Sequence, residues 1–201
     1  MRAFRWPVVA VVCGVLAAGI LVGGYWDRVD HAAVDGHFSA ALGELRSPDI
    51  EERIRGVQAL ERISKESPGD QPAVVGELAS FIRSSAGTTN CRDHQIGRDV
   101  QAALAVLVRR TPAGDLGMVI DLHGACLNNA EMAKISLVYA NLAGVDFGGA
   151  NLSGSVLDGA DLTGANLGGA DLSYAHVVDA RMAQVNLSGA NVVGINVNYS
   201  R

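Results

Sequence analysis

Between Ile120 and Tyr199 the chain repeats every five residues, sixteen times, without an insertion or a deletion. The middle position of each unit is apolar throughout: Leu122, Leu127, Met132, Leu137, Leu142, Phe147, Leu152, Leu157, Leu162, Leu167, Leu172, Val177, Met182, Leu187, Val192 and Val197. Two residues before it stands Ala, Ile or Val, with Ser155 the one polar exception. Asp or Asn fills most of the slots between these two apolar positions, and Gly closes many units. A fixed period of this kind marks a solenoid, in which no unit buries its apolar face alone.

The period also restricts the backbone. Apolar residues two apart lie on one face of an extended segment. Five is odd, so a straight strand would send the next unit's Leu to the opposite face. All of them point inward only if the chain turns a corner once per unit, and Gly at unit ends suits such corners because it tolerates positive φ. An α-helix would smear a five-residue pattern around its circumference. The predicted inward ladder is Leu122, Leu127, Leu137, Leu142, Phe147, Leu152, Leu157, Leu162, Leu167, Leu172 and Leu187, with the outward Asp and Asn bonding nearby backbone.

The triplets Ala140-Asn141-Leu142, Ala150-Asn151-Leu152, Ala160-Asp161-Leu162, Ala165-Asn166-Leu167, Ala170-Asp171-Leu172 and Ala190-Asn191-Val192 resemble the Ala-(Asp/Asn)-Leu-x-x consensus of the pentapeptide-repeat family. The resemblance implies a right-handed, four-sided parallel β-helix with four units per coil, hence about four coils. Ser155-Val156, His176-Val177 and Arg181-Met182 depart from the consensus and are read as tolerated variants of a face.

The chain before the repeats has a different character. Residues 6–26 carry no charge. As a helix rising 1.5 Å per residue they would span roughly 30 Å, enough for a hydrocarbon core. Trp6 and Tyr25-Trp26 sit at the edges, where aromatic belts form. A cleaved signal peptide is the rival reading, but its apolar region is shorter. Arg2 and Arg5 precede the run, so the positive-inside rule places the remainder of the chain outside the cytoplasm. Gly19 and Gly23 form a GxxxG spacing, a candidate homodimer contact.

Helical spacing follows. Ile50, Ile54, Val57, Leu60 and Ile63 recur at three to four residues, with Ser47 expected to cap and Pro48 to open the helix. A second helix is expected to carry Val75, Leu78 and Ile82 behind an Asp70 cap, and a third to carry Ile96, Val100, Ala103, Leu104 and Leu107. A shorter one holds Phe38, Ala41, Leu42 and Leu45, and Ser84 to Asn90 reads as a loop. Arg55 to Ile63 and Asp99 to Leu104 look like the helical region before the repeats in many bacterial proteins of this family, itself similar to HEAT-type helix pairs. A helical layer there is a natural lid over the first coil. The expected organisation is α+β: an anchor at 1–29, a helical region at 30–117 and a β-helix at 118–201.

Chemistry is sparse in this pattern. His31, His37, His94, His123 and His176 are scattered, and no HExxH, nucleophile elbow or P-loop occurs. Cys91-x-x-His94 and His123-x-x-Cys126 are the one constellation that stands out. Free thiols are the default for these cysteines, a Cys91–Cys126 disulfide is the second reading, and a zinc site of two Cys and two His is the third. No cofactor and no catalytic residue are expected. The formal net charge is −5, and the repeat carries more acids than bases, which argues against a nucleic-acid partner. The expected role is a membrane-anchored, non-catalytic scaffold for an unidentified protein partner. The alternative is the topoisomerase-binding DNA mimicry found in some pentapeptide-repeat proteins, for which the carboxylates here are thinly spread.

Overall fold

The structure, a computed structural model, describes residues 36–87, 91 and 95–197. Residues 6–26, Gly19 and Gly23, His31 and His94 lie outside the described residues. Among those described, no helix is long and apolar enough to cross a membrane.

Among the described residues, four helices form the first layer. Helix α1 occupies 36–45, α2 Ile50–Glu66, α3 Gln71–Ala86 and α4 Arg98–Arg109. Helix α2 starts where Asp49 accepts from the backbone N–H groups of Glu51 and Glu52, at 2.8 and 3.0 Å. Glu51 and Glu52 in its first turn and Lys65 in its last complement the helix dipole. The cap is therefore Asp49 and not Ser47, whose hydroxyl instead accepts from Asp49 N–H at 3.1 Å. Asp70 does hold the N-cap position of α3 but makes no side-chain capping bond. Helix α3 also runs on through Ser84 and Ser85 into the segment expected to be loop, and Gly87 at φ 72° stops it. Ile96 precedes α4 rather than belonging to it.

Helices α2, α3 and α4 pack on one another, with Val57, Leu60, Ile63, Leu78, Ile82, Leu104 and Leu107 buried between them. Helix α1 lies close to α2 at Gly56, where an added Cβ would stand 2.7 Å from Leu45 N and 2.8 Å from Ala41 O. Arg53 ties α2 to α4 through an ion pair with the buried Asp99 at 2.6 Å.

After a single 3-10 turn at Pro112–Asp115, the chain enters a β-helix-like solenoid. Parallel bridges join Asp121 to Asn141, Asn141 to Asp161 and Asp161 to Arg181, and the same twenty-residue step runs from Cys126, Glu131 and Ser136. One coil is thus four five-residue units, and the stack has four faces, named here by Asp121, Cys126, Glu131 and Ser136. Each of the units from 120 to 194 ends in a residue with positive φ: Gly at nine corners, and Asn129, Lys134, Tyr139, Tyr174, Asp179 and Gln184 at the others. Asp and Asn side chains brace the corners. Asp146 accepts from Gly148 N–H at 2.9 Å and Asp161 from Thr163 N–H at 3.0 Å. Asn side chains also bond from coil to coil, Asn166 to Asp146 at 2.8 Å and Asn186 to Asn166 at 2.8 Å.

Leu122, Leu127, Leu137, Leu142, Phe147, Leu152, Leu157, Leu162, Leu167 and Leu172 are buried and continuous with the apolar core of the helices. Leu187 departs from the expected ladder, being 40% exposed, and Val192 and Val197 behave likewise at 44% and 41%. They belong to the last coil, where no further described coil covers them.

Candidate functional site

The first coil of a solenoid lacks a preceding coil, so its backbone and apolar interior would meet water. Here the helical layer supplies one polar group to each of the four faces. On the Asp121 face, Arg83 of α3 pairs with the Asp121 carboxylate. On the Cys126 face, the Gly87 carbonyl accepts from Cys126 N–H at 3.0 Å. On the Glu131 face, the Gln101 side-chain amide of α4 donates to the Glu131 carbonyl at 2.8 Å and accepts from the Glu131 N–H at 3.1 Å. On the Ser136 face, Arg110 donates to the Ser136 carbonyl at 2.7 Å. Leu122, Leu127, Met132 and Leu137 are in consequence fully buried.

Arg110 is itself enclosed. Its guanidinium pairs with Asp115 at 2.9 Å and donates to the Leu107 carbonyl at 2.6 Å. Gln71 in turn donates to Asp115 and to the Thr111 carbonyl, both at 2.7 Å. A buried guanidinium with this set of acceptors fixes the junction between α4 and the first coil, because losing one partner would strand a buried charge.

Cys91 and Cys126 are joined by a disulfide with their Cα atoms 5.1 Å apart, inside the range such a bond requires. In this arrangement each sulfur is bonded to the other, the second of the readings open to these residues. Cys126 holds an outward slot of its unit yet is fully buried, with the Gly87 carbonyl on its N–H and the Cys91 sulfur on its own. His123, the other repeat member of the zinc alternative, has its ring Nδ1 2.8 Å from Asp121. Burial opposes ionisation of Asp121, yet hydrogen bonds from the His123 ring and backbone, with the charges of Arg83 and His123, leave its carboxyl below the ordinary range. Among the described residues no cluster of three His, Cys, Asp or Glu is arranged to hold a metal.

The four faces differ in chemistry. The Asp121 row continues Asn141, Asp161, Arg181; the Cys126 row Asp146, Asn166, Asn186; the Glu131 row Asn151, Asp171, Asn191. The fourth row reads Ser136, Val156, His176, Asn196 and holds no carboxylate. Tyr139 and Tyr174, 70% and 68% exposed, stand at the two corners that border it. Each ring lies along the corner of the next coil, Tyr139 over Gly159 and Tyr174 over Gly194. Val138, Val119 and Leu116 extend exposed apolar surface from the Tyr139 corner toward the helical layer.

Gln101, Arg83 and Arg110 carry the capping, and none was marked by the sequence. A polar residue on an amphipathic helix reads as solvent-facing, and only the approach of the first coil gives it a partner. The outward Asp/Asn positions and the two cysteines were visible from spacing alone.

These features define a capped β-solenoid. The Pentapeptide repeats family model, in 8 copies, matches residues 120–154, 135–173 and 165–198, and the chain belongs to the pentapeptide-repeat family. Three solved structures illustrate the likeness. The pentapeptide repeat protein Rfr23 from the cyanobacterium Cyanothece 51142 is 32% identical over 46% of this chain and 75% of that one, with a TM-score of 0.32. HetL from Nostoc sp. strain PCC 7120, a pentapeptide repeat protein involved in heterocyst differentiation regulation, is 35% identical over 37% of this chain and 35% of that one, with a TM-score of 0.28. A further pentapeptide repeat protein from Nostoc PCC 7120 is 26% identical over 39% and 84%, with a TM-score of 0.25. No curated protein matches the chain.

Proposed function

We propose that the protein is a non-catalytic interaction scaffold tethered to a membrane through residues 6–26, with its helices and right-handed solenoid on the extracytoplasmic side. The observation that carries the scaffold reading is the Ser136 face. Its outward row lacks carboxylates, its borders present two exposed tyrosines, and its backbone is fixed coil by coil at strand spacing. Protein interfaces favour aromatic residues and a charge-depleted centre; this face joins an uncharged central row to two exposed tyrosines, with Asp158 and Asp179 off that row. The Cys91–Cys126 bond supports the compartment, because disulfides persist in oxidising surroundings. The uncharged 6–26 run supports the tether.

The test is crosslinking in intact cells followed by pull-down from detergent-solubilised membranes, comparing the native chain with a Tyr139→Ala, Tyr174→Ala, His176→Ala variant. Envelope proteins captured by the native chain and lost with the variant are expected. Recovery of topoisomerase subunits, or capture indifferent to the triple substitution, would overturn the reading in favour of the mimic or of another surface.

A further inference from the structure

The most exposed large apolar side chain among the described residues is Leu116, at 76%. It lies where the helical layer turns into the first coil. From Thr111 to Val119 the one ionisable residue is Asp115, and it is buried against Arg110. The residues this turn exposes are Thr111, Pro112, Ala113, Leu116, Gly117 and Val119, none of them charged. Leu116 also holds the left-handed conformation, φ 50° and ψ 36°, which crowds any side chain and suits Gly better. The turn is firmly held. Gly114 N–H donates to the Thr111 carbonyl and Met118 N–H to the Asp115 carbonyl, each at 2.9 Å, while Gln71 and Arg110 both bond the Asp115 carboxylate. A braced frame thus keeps an aliphatic side chain in water at a strained backbone position. Exposed apolar surface of this kind marks a contact with another molecule or with lipid.

Place in the fold selects lipid. The backbone of Ala41 and Leu45 meets Gly56, and Leu45 and Arg46 share a groove with Arg53. His37 lies instead in the groove that reaches Arg62, so α1 runs antiparallel to α2. Helix α4 runs parallel to α2: Arg98 pairs with Glu51 near their starts, and Arg109 with Glu61 near their ends. The start of α1 and the end of α4 therefore share one end of the layer, about two helix widths or roughly 20 Å apart. The Leu116 turn follows α4 directly. Residues 27–35 join α1 to the uncharged run 6–26, and nine residues reach at most ~30 Å. A span at 6–26 holds this end of the layer within that distance of the bilayer surface.

We infer that the Leu116 turn docks on the same bilayer, with Leu116 and Val119 seated at the boundary between headgroups and acyl chains. The inference rests on the tether reading above. Two aliphatic side chains bind lipid weakly alone, but on a chain already held at the surface the second contact is intramolecular. The consequence is orientation. Val119, Val138 and Tyr139 line one cleft, so the Tyr139 corner of the Ser136 face stands next to the membrane.

The experiment places the full-length chain in phosphatidylcholine vesicles, with Cys13→Ser so that one introduced thiol is labelled; Cys91 and Cys126 are bonded to each other. Leu116→Cys carries an environment-sensitive fluorophore, and His176→Cys, two coils beyond Ser136 on the same face, is the control. Emission at 116 is expected to be blue-shifted and quenched several-fold more by nitroxide-bearing lipid than by aqueous iodide, with the reverse at 176. Adding Val119→Asp should return the 116 probe to water while the chain still floats with the vesicles and keeps its circular-dichroism spectrum. A floating chain whose 116 probe stays open to iodide overturns the inference and leaves the tether standing. A chain that does not float overturns both. A blue-shifted probe that nitroxide lipid fails to reach overturns the inference as well, because protein then covers the turn.

Discussion

The Gln101 side chain meets Glu131 as another strand would: its amide nitrogen donates to the Glu131 carbonyl and its oxygen accepts from the Glu131 N–H, at 2.8 and 3.1 Å. A primary amide has the same donor and acceptor as a peptide group, which is why a helix can stand in for a missing coil at this position. Gln101→Ala leaves both backbone groups without these bonds. The expected cost is about 1–3 kcal/mol of unfolding free energy, read by chemical denaturation. Hydrogen exchange should also speed selectively at the Glu131 amide. Gln101→Glu is expected to be nearly as harmful, because it keeps the acceptor and removes the donor.

The disulfide makes a second anchor on the adjacent face. Cys91 and Cys126 are 35 residues apart in sequence, and closing a loop of that size in the unfolded chain stabilises the fold by about 3–4 kcal/mol. Reduction, or Cys91→Ser, is expected to lower stability by that order and to speed hydrogen exchange at the Cys126 amide, which donates to the Gly87 carbonyl. The coils beyond Asn141 hold their own inter-coil bonds and should stay protected. Intact mass after alkylation, with and without reductant, verifies the bond itself.

How much of this was legible beforehand follows from what a period can encode. The ladder from Leu122 to Leu172 and its corners are written in five-residue spacing, because each unit obeys the same local geometry. The ends are not. Leu187 carries the same signature as Leu167, yet one is 40% exposed and the other is buried, since burial depends on whether a coil follows. Gln101 and Arg110 show the same gap on the helical side: their partners lie 30 and 26 residues away, in a coil whose position no helical pattern records. Cys91 and Cys126 fall between these cases. Their pairing was one of several chemistries open to the same residues, and only a Cα separation of 5.1 Å selects it.

Ser155 interrupts the Ala ladder and lies fully buried, its hydroxyl without a hydrogen-bond partner. An unpaired buried hydroxyl costs about 1–3 kcal/mol relative to a paired one. Ala140, Ala160 and Ala175 fill equivalent inward slots with nothing to satisfy. Ser155→Ala is accordingly expected to stabilise the protein by roughly 1 kcal/mol, visible as a higher denaturation midpoint with an unchanged slope. Ser155→Val should not share the gain, because the enclosed site leaves little room for a methyl group beyond the one that replaces the hydroxyl.

Acid is expected to loosen the solenoid face by face. The Asp161 carboxyl is held below its ordinary range by hydrogen bonds from the Thr163 side chain and backbone, and Asp171 by the Ser173 backbone and side chain. Asp121 shifts the same way through His123 and Arg83, against the opposing effect of burial. A carboxyl whose folded value lies below its unfolded value binds fewer protons when folded. Its contribution is therefore complete above the unfolded value, near pH 4, and is lost as pH falls through the lower folded value. Denaturation midpoints should be flat with respect to these groups from about pH 5 to 7 and decline below about pH 4. Asp171→Asn retains an oxygen for the Ser173 N–H but does not titrate, so its midpoint should vary less with acid than that of the native chain. Equal acid sensitivity in the two proteins would mean that the corner bonds at Asp171 do not contribute to the pH dependence.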